Sequence, residues 1–217
     1  MIATILIWLK VISSYERYFI YRVFLLAIIG FPMTSIAQFN DVLPVYEEDH
    51  HVPIYENGAW RILNVTCDPM DTTDFHRHCH PILYLTLLGT HVSLQEPHSE
   101  WKQVILPTNW IGHDIYSIDS CYIHRFSVSG ETGIHILAFE ALSESVTSTK
   151  TGDIMYDDGG FSLIMLRRED ISQALEKGDF VFGISKDKNQ PKFVVIQDNS
   201  ITEFSDYSAY TISFEEK

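Results

Sequence analysis

Residues 76–89 read HRHCHPILYLTLLG. On an extended strand successive side chains point to opposite faces, so His76, His78 and His80 share one face while Arg77 and Cys79 take the other. Two imidazoles at i and i+2 can reach one cation without bending the backbone, and a third ligand must then come from another strand. His124, in the segment CYIHRF at 121–126, is the prime candidate. Neutral imidazoles suit Fe(II), Zn, Mn and Ni. With open coordination positions such an ion activates dioxygen, or lowers the pKa of a bound water and polarises a carbonyl. The competing reading is a strand that merely carries histidines.

The elements that would position these residues are short strands. Apolar segments at 59–65, 74–88, 91–95, 103–106, 115–117, 122–129 and 133–140 alternate or run continuously, with breaks at Asp68-Pro69, Gly89, Glu96-Pro97, Pro107-Thr108-Asn109 and Gly130. Strands at this spacing predict a sandwich or barrel rather than βαβ units. Gly89-Thr90 between Leu88 and His91 has the chemistry of a two-residue hairpin. After a Ser/Thr/Asp/Gly-rich linker at 143–160, the sequence predicts a strand at 161–166, a short helix at 169–177 stopped by Gly178, a hairpin of 180–184 with 192–196, and a last edge strand at 210–214. All ten histidines lie between His50 and His135, so the chemistry is sought there and the tail is taken as structural.

A formal charge of -14 disfavours binding to phosphate backbones, so no nucleic-acid partner is expected. Near the start, Arg17 and Arg22 precede the apolar run 23–31, and Ser35-Ile36-Ala37 makes a small-residue cleavage site before Gln38. This pattern predicts a signal peptide over 1–37, hence a periplasmic or secreted protein with no membrane association once the signal is removed. Export would permit disulfides. The three cysteines, Cys67, Cys79 and Cys121, allow at most one pair, and without CxxC spacing they read more as small buried hydrophobes than as a framework.

The stretch Asp74-Phe75-His76-Arg77-His78, its apolar strand and Gly89 resemble the first motif of the cupin superfamily. The stretch from His124 to Glu131, HRFSVSGE, resembles the second. The similarity spans roughly 52–142 and implies an all-β, jelly-roll or double-stranded β-helix fold with a metal inside the barrel mouth. It implies His76, His78 and His124 as the ligands. The sequence departs from the family pattern at Ile82, where most cupins carry a glutamate ligand, and at Val128, where an asparagine is usual; the Pro-Gly turn before His124 is also missing. These departures leave two outcomes: a three-histidine centre with open positions, as in the thiol-dioxygenase branch, or a pocket that has lost its metal and is kept for binding.

The expected organisation is therefore a signal peptide at 1–37, a cupin-like barrel at 38–145 and a C-terminal β-rich extension with one short helix at 146–217. The expected activity is that of a metalloprotein binding one divalent transition metal, Fe(II) as first choice, and acting on a small molecule. Dioxygenase is the first choice of reaction, with lyase or isomerase next and a non-catalytic binding module as the alternative. Tyr84 and Tyr122 keep the parity of His78 and His124 and are candidate site contacts, as is His80. Glu131 and Glu140 are candidate acids or bases only if they reach the barrel mouth. His135 is read as a satisfied core histidine, Arg125 as one half of an ion pair, and His91, His98 and His113 as exposed. A second copy of the chain is a candidate partner.

Overall fold

The computed structural model describes residues 42–148, 151–187, 192–197 and 206–215. The expected leader at 1–37 lies outside the described residues. Within them no helix is long and apolar enough to cross a membrane.

The chain is mainly strand, arranged in three sheets. The first sheet comprises β1 (Leu43–Pro44), β4 (His76–His78), β9 (Tyr122–Val128), β6 (Thr90–Gln95) and β7 (Lys102–Leu106), in that order. The second comprises β2 (His51–Glu56), β3 (Trp60–Cys67), β10 (Ile134–Ala141), β5 (Ile82–Leu88) and β8 (Ile111–Asp114). These two face each other as a jelly-roll sandwich of the double-stranded β-helix kind, and no ladder between them closes the barrel among the described residues. The third sheet comprises β12 (Asp153–Asp157), β13 (Phe161–Leu166), β16 (Tyr207–Glu215), β14 (Val181–Ser185) and β15 (Phe193–Ile196), with β11 (Ser145–Val146) beside β16.

Strand periodicity explains the layering. In β10, Ile134, Ile136 and Ala138 face the interior of the sandwich, while Leu137, Phe139 and Ala141 point the other way, onto Phe161, Phe182 and Phe214 of the third sheet. A strand covered on both faces reads as a continuous apolar run, and Ile136-Leu137-Ala138-Phe139 at the middle of β10 does so. The third sheet is likewise buried twice. Its far face receives Ile171 and Ala174 of helix α1 (Arg168–Glu176), which ends at Gly178 in the left-handed region, φ 80°.

Several elements differ from the sequence expectation. The segment 74–88 is two strands in different sheets, β4 and β5, because Pro81 cannot donate to a ladder and the chain turns there. Strands β5 and β6 are likewise not a hairpin: Gly89 carries the chain from the second sheet to the first. A Cβ at Gly89 would lie 2.1 Å from the Leu106 carbonyl oxygen, so this crossover demands glycine for close backbone approach rather than for a turn type. Strand β16 is central rather than an edge, and 115–117 contributes only an isolated bridge from Ser117 to Ser120.

The cysteines also differ from expectation. Cys79 and Cys121 form a disulfide across the end of the β4–β9 ladder, while Cys67 is free and buried, its thiol pushed up to about 12 chiefly by burial. The bridge closes a loop of sequence separation 42. Reduction, or the C79S/C121S pair, is therefore expected to cost about 2–4 kcal/mol. Urea denaturation with and without reductant checks this, and coincident curves would refute it.

Candidate metal centre

Strand β4 pairs antiparallel with β9 so that His76 stands opposite His124 and His78 opposite Tyr122. This register brings the three histidines together. His124 Nε2 lies 3.1 Å from His76 Nε2 and 3.0 Å from His78 Nε2. His76 and His78 are buried, with 0% and 2% of their surface exposed. His76 Nδ1 is 2.9 Å from the Asp74 carbonyl oxygen, which can only accept, so Nδ1 carries the proton and Nε2 presents its lone pair to the cluster. The Nδ1 atoms of His78 and His124 are buried without a hydrogen-bond partner among the described residues.

Burial holds these imidazoles neutral. His76 is pushed down to about 2 by desolvation and by its neighbours His51 and His124, His124 to about 3 by desolvation and His51, and His78 well below its ordinary value by desolvation and the adjacent histidines. A single proton on His124 Nε2 could serve both contacts only by being shared. A cation accepts lone pairs from all three nitrogens at once, so the residues present fit a divalent transition metal.

A fourth imidazole joins the cluster. His51, at the start of β2, is buried with its ring centroid 4.3 Å from that of His76. Ligand atoms of His51, His76 and His78 all lie within 4.8 Å of one another. The Nδ1–H of His51 donates to Glu48, whose carboxylate is itself buried and also receives the His50 backbone N–H at 3.0 Å and the Asp74 N–H at 3.2 Å. Burial alone would raise the Glu48 carboxyl, but the hydrogen bonds from His51 and His50 outweigh it and hold the group at about 2. Sequence reasoning missed His51 because its approach depends on the β2–β3 register, which sets it against Val65 on the interior face.

His51, His78 and His124 border a cavity of about 410 Å³ between the two sheets. Its walls are apolar, formed by residues such as Val92, Leu94, Phe126 and Ile136, and no Lys or Arg among the described residues lines it. Tyr84, Tyr116, Tyr122 and Asp114 supply the polar groups. Tyr84 has its ring centroid 6.5 Å from that of His78, and Tyr122 sits 4.9 Å from His124, stacked on Tyr116 at 5.4 Å. Desolvation raises the Tyr84 and Tyr116 hydroxyls, so both remain protonated donors at neutral pH. Tyr116, Asp114 and Trp110 were not expected from sequence: Asp114 closes the short strand β8, and Trp110 and Tyr116 flank it outside any strand, where no periodicity signals orientation.

The other candidates fall elsewhere. His80 follows the break after β4 and does not line the cavity; it is half-buried, and desolvation followed by the Arg61 charge lowers it. Glu140 is buried against Arg61, with Nη1 2.9 Å from Oε2, and Glu131 is exposed; neither lines the cavity. Among the described residues Arg125 does not form the expected ion pair: its Nε donates to Gln95 at 2.8 Å and its planar guanidinium lies over Phe75 and Trp101, a stacking that suits this cation. His135 Nε2 sits 2.6 Å from Asn64 Oδ1, and His91 and His98 are exposed. His113 is half-buried instead, bonded to the Tyr156 hydroxyl and 2.8 Å from Asp158, because the third sheet covers it.

No protein-family model matches the chain, and a search of curated proteins finds no match. Solved structures it is similar to include cupin and double-stranded β-helix proteins. They include a cupin domain protein from Bordetella pertussis, with 13% identity over 43% of this chain and 92% of that one and a TM-score of 0.38. A double-stranded β-helix protein from Klebsiella pneumoniae has 14% identity over 46% and 82%, with a TM-score of 0.35. A polyketide cyclase from Streptomyces resistomycificus has 14% identity over 48% and 76%, with a TM-score of 0.34.

The buried neutral histidines make metal-free protein sensitive to acid. Their folded-state pKa values lie below the unfolded value, so below pH 6.5 the unfolded chain takes up protons that the folded cluster refuses, and stability falls as pH falls towards about 3. Glu48, lowered to about 2, adds a loss in the same direction once pH drops below its unfolded value of 4.5. Each histidine should cost about 1.4 kcal/mol between pH 7.5 and 5.5. Urea midpoints of chelator-treated protein at the two pH values test this, and equal midpoints would contradict the buried neutral state.

Proposed function

We propose that the protein is an exported cupin-type metalloprotein. It holds one divalent transition metal, Fe(II) as first choice, with His76, His78 and His124 as ligands, and acts on a small molecule in the cavity between the sheets, with dioxygen incorporation as the favoured reaction. The observation that carries this reading is the convergence of the buried His76 and His78 on His124, whose Nε2 lies 3.1 and 3.0 Å from theirs, in a desolvated setting. When bound, such an ion would supply Lewis acidity towards an oxygen substituent or, if redox-active, activation of dioxygen.

The chain's own residues define the rest. Apolar walls limit water at the centre and offer apolar contact to the molecule bound there. Tyr84 and Tyr116, both protonated and hydrogen-bonded to each other, with Tyr116 also bonded to Asp114, form the polar patch of the wall against which an oxygen of that molecule would be oriented. The Cys79–Cys121 bridge supports an oxidising compartment outside the cytoplasm, in line with the predicted leader.

Elemental analysis of untagged protein is expected to give close to one metal per chain, lost in H76A/H78A. Protein that contains no metal and whose thermal midpoint does not move on adding Fe(II), Mn, Ni or Zn would defeat the reading. Nitric oxide binding to the Fe(II) form separates an enzyme with open positions from a binding module without them.

A further inference from the structure

We propose that His51 is a fourth protein ligand of the same centre, oriented by Glu48, so that the site is built from four imidazoles instead of three imidazoles and a carboxylate. This rests on the metal-binding reading and deepens it.

The family pattern's carboxylate is missing. Ile82, which stands in its place, is fully buried in the apolar interior and offers no ligand atom. His51 lies within reach instead, from a strand outside both histidine-bearing motifs: its ring packs 4.3 Å from His76 and 6.2 Å from His78, and it borders the cavity. Its tautomer is fixed. With Nδ1–H donated to the Glu48 carboxylate, Nε2 is left as a lone pair free to coordinate, which is the arrangement a metal-binding histidine takes when a carboxylate stands behind it.

Glu48 is built for this role. It is 3% exposed, and it binds His51, His50 and the backbone N–H of Asp74, the residue whose carbonyl orients His76. One carboxylate therefore steadies two of the imidazoles, one directly and one through the backbone. The negative charge that the family pattern supplies as a ligand is here displaced by one imidazole.

The test is a count of imidazoles. X-ray absorption fine structure of wild-type protein loaded with Zn(II) alone is expected to show multiple scattering from four histidines; three would overturn the proposal while leaving the metal site intact. In H51A, loaded with Co(II), the visible absorption should shift and affinity measured by chelator competition should fall by about 100-fold or more, while E48Q should lose about 10–100-fold. An H51A chain with wild-type spectrum and affinity would also refute the fourth ligand without touching the other three. Wild-type protein that takes up neither ion would remove both readings together.

Discussion

The site depends on one register. β4 is only three residues long, and His76 meets His124 only because these two residues stand directly opposite. A slip of one position would turn His76 and His78 to the other face, since side chains alternate along a strand. So short a ladder has few hydrogen bonds with which to resist slippage. The next cross-strand pair beyond His78 and Tyr122 is Cys79 and Cys121, with Cα atoms 4.3 Å apart and a covalent bond between them. The disulfide thus fixes the register that the short strand cannot fix alone, and Glu48 does the same from the other end by gripping the Asp74 backbone.

Desolvation is the second requirement, and it explains the size of the fold around so small a site. Imidazoles in water would carry protons below pH 6.5 and would face solvent rather than one another. Here the first two sheets enclose them in apolar walls, and the third sheet covers the outer face of β3, β5 and β10, so the wall behind the cavity is itself core. Phe139 packing on Phe182, with ring centroids 5.0 Å apart, is part of that backing. The C-terminal third of the chain contains no histidine and contributes by keeping β5 and β10 rigid and dry.

Local pattern carried much of this information and topology the remainder. HxH on a strand, the strand-rich layout, the helix ended by Gly178 and the pairing of β14 with β15 follow from spacings of a few residues. Placement across sheets does not. The turn at Pro81 separates two strands that read as one apolar run, and Gly89 connects facing sheets although its neighbours read as a hairpin. Cys79 and Cys121 could be paired only once β4 and β9 were in register. His51 lies far from both motifs and carries no periodic signal of its own; Glu-x-x-His before a strand was the available cue, and it acquires meaning only when Val65 is seen to face the cavity.

Charge balance ties the unusual residues together. A divalent cation among neutral imidazoles in an apolar cavity leaves two positive charges with little solvent to answer them, and a low-dielectric setting makes that costly. A carboxylate ligand would neutralise part of it directly. With Ile82 in that position, the compensating charge must come from further out, and the groups that can supply it are Glu48 behind His51 and Asp114 at the cavity wall. Glu48 is buried, four times hydrogen-bonded and kept ionised, which is the condition in which a buried carboxylate is tolerated at all. Its charge reaches the centre through the His51 ring and through space at His76, so the imidazole and the carboxylate form one device: removing His51 leaves a buried carboxylate short of a partner.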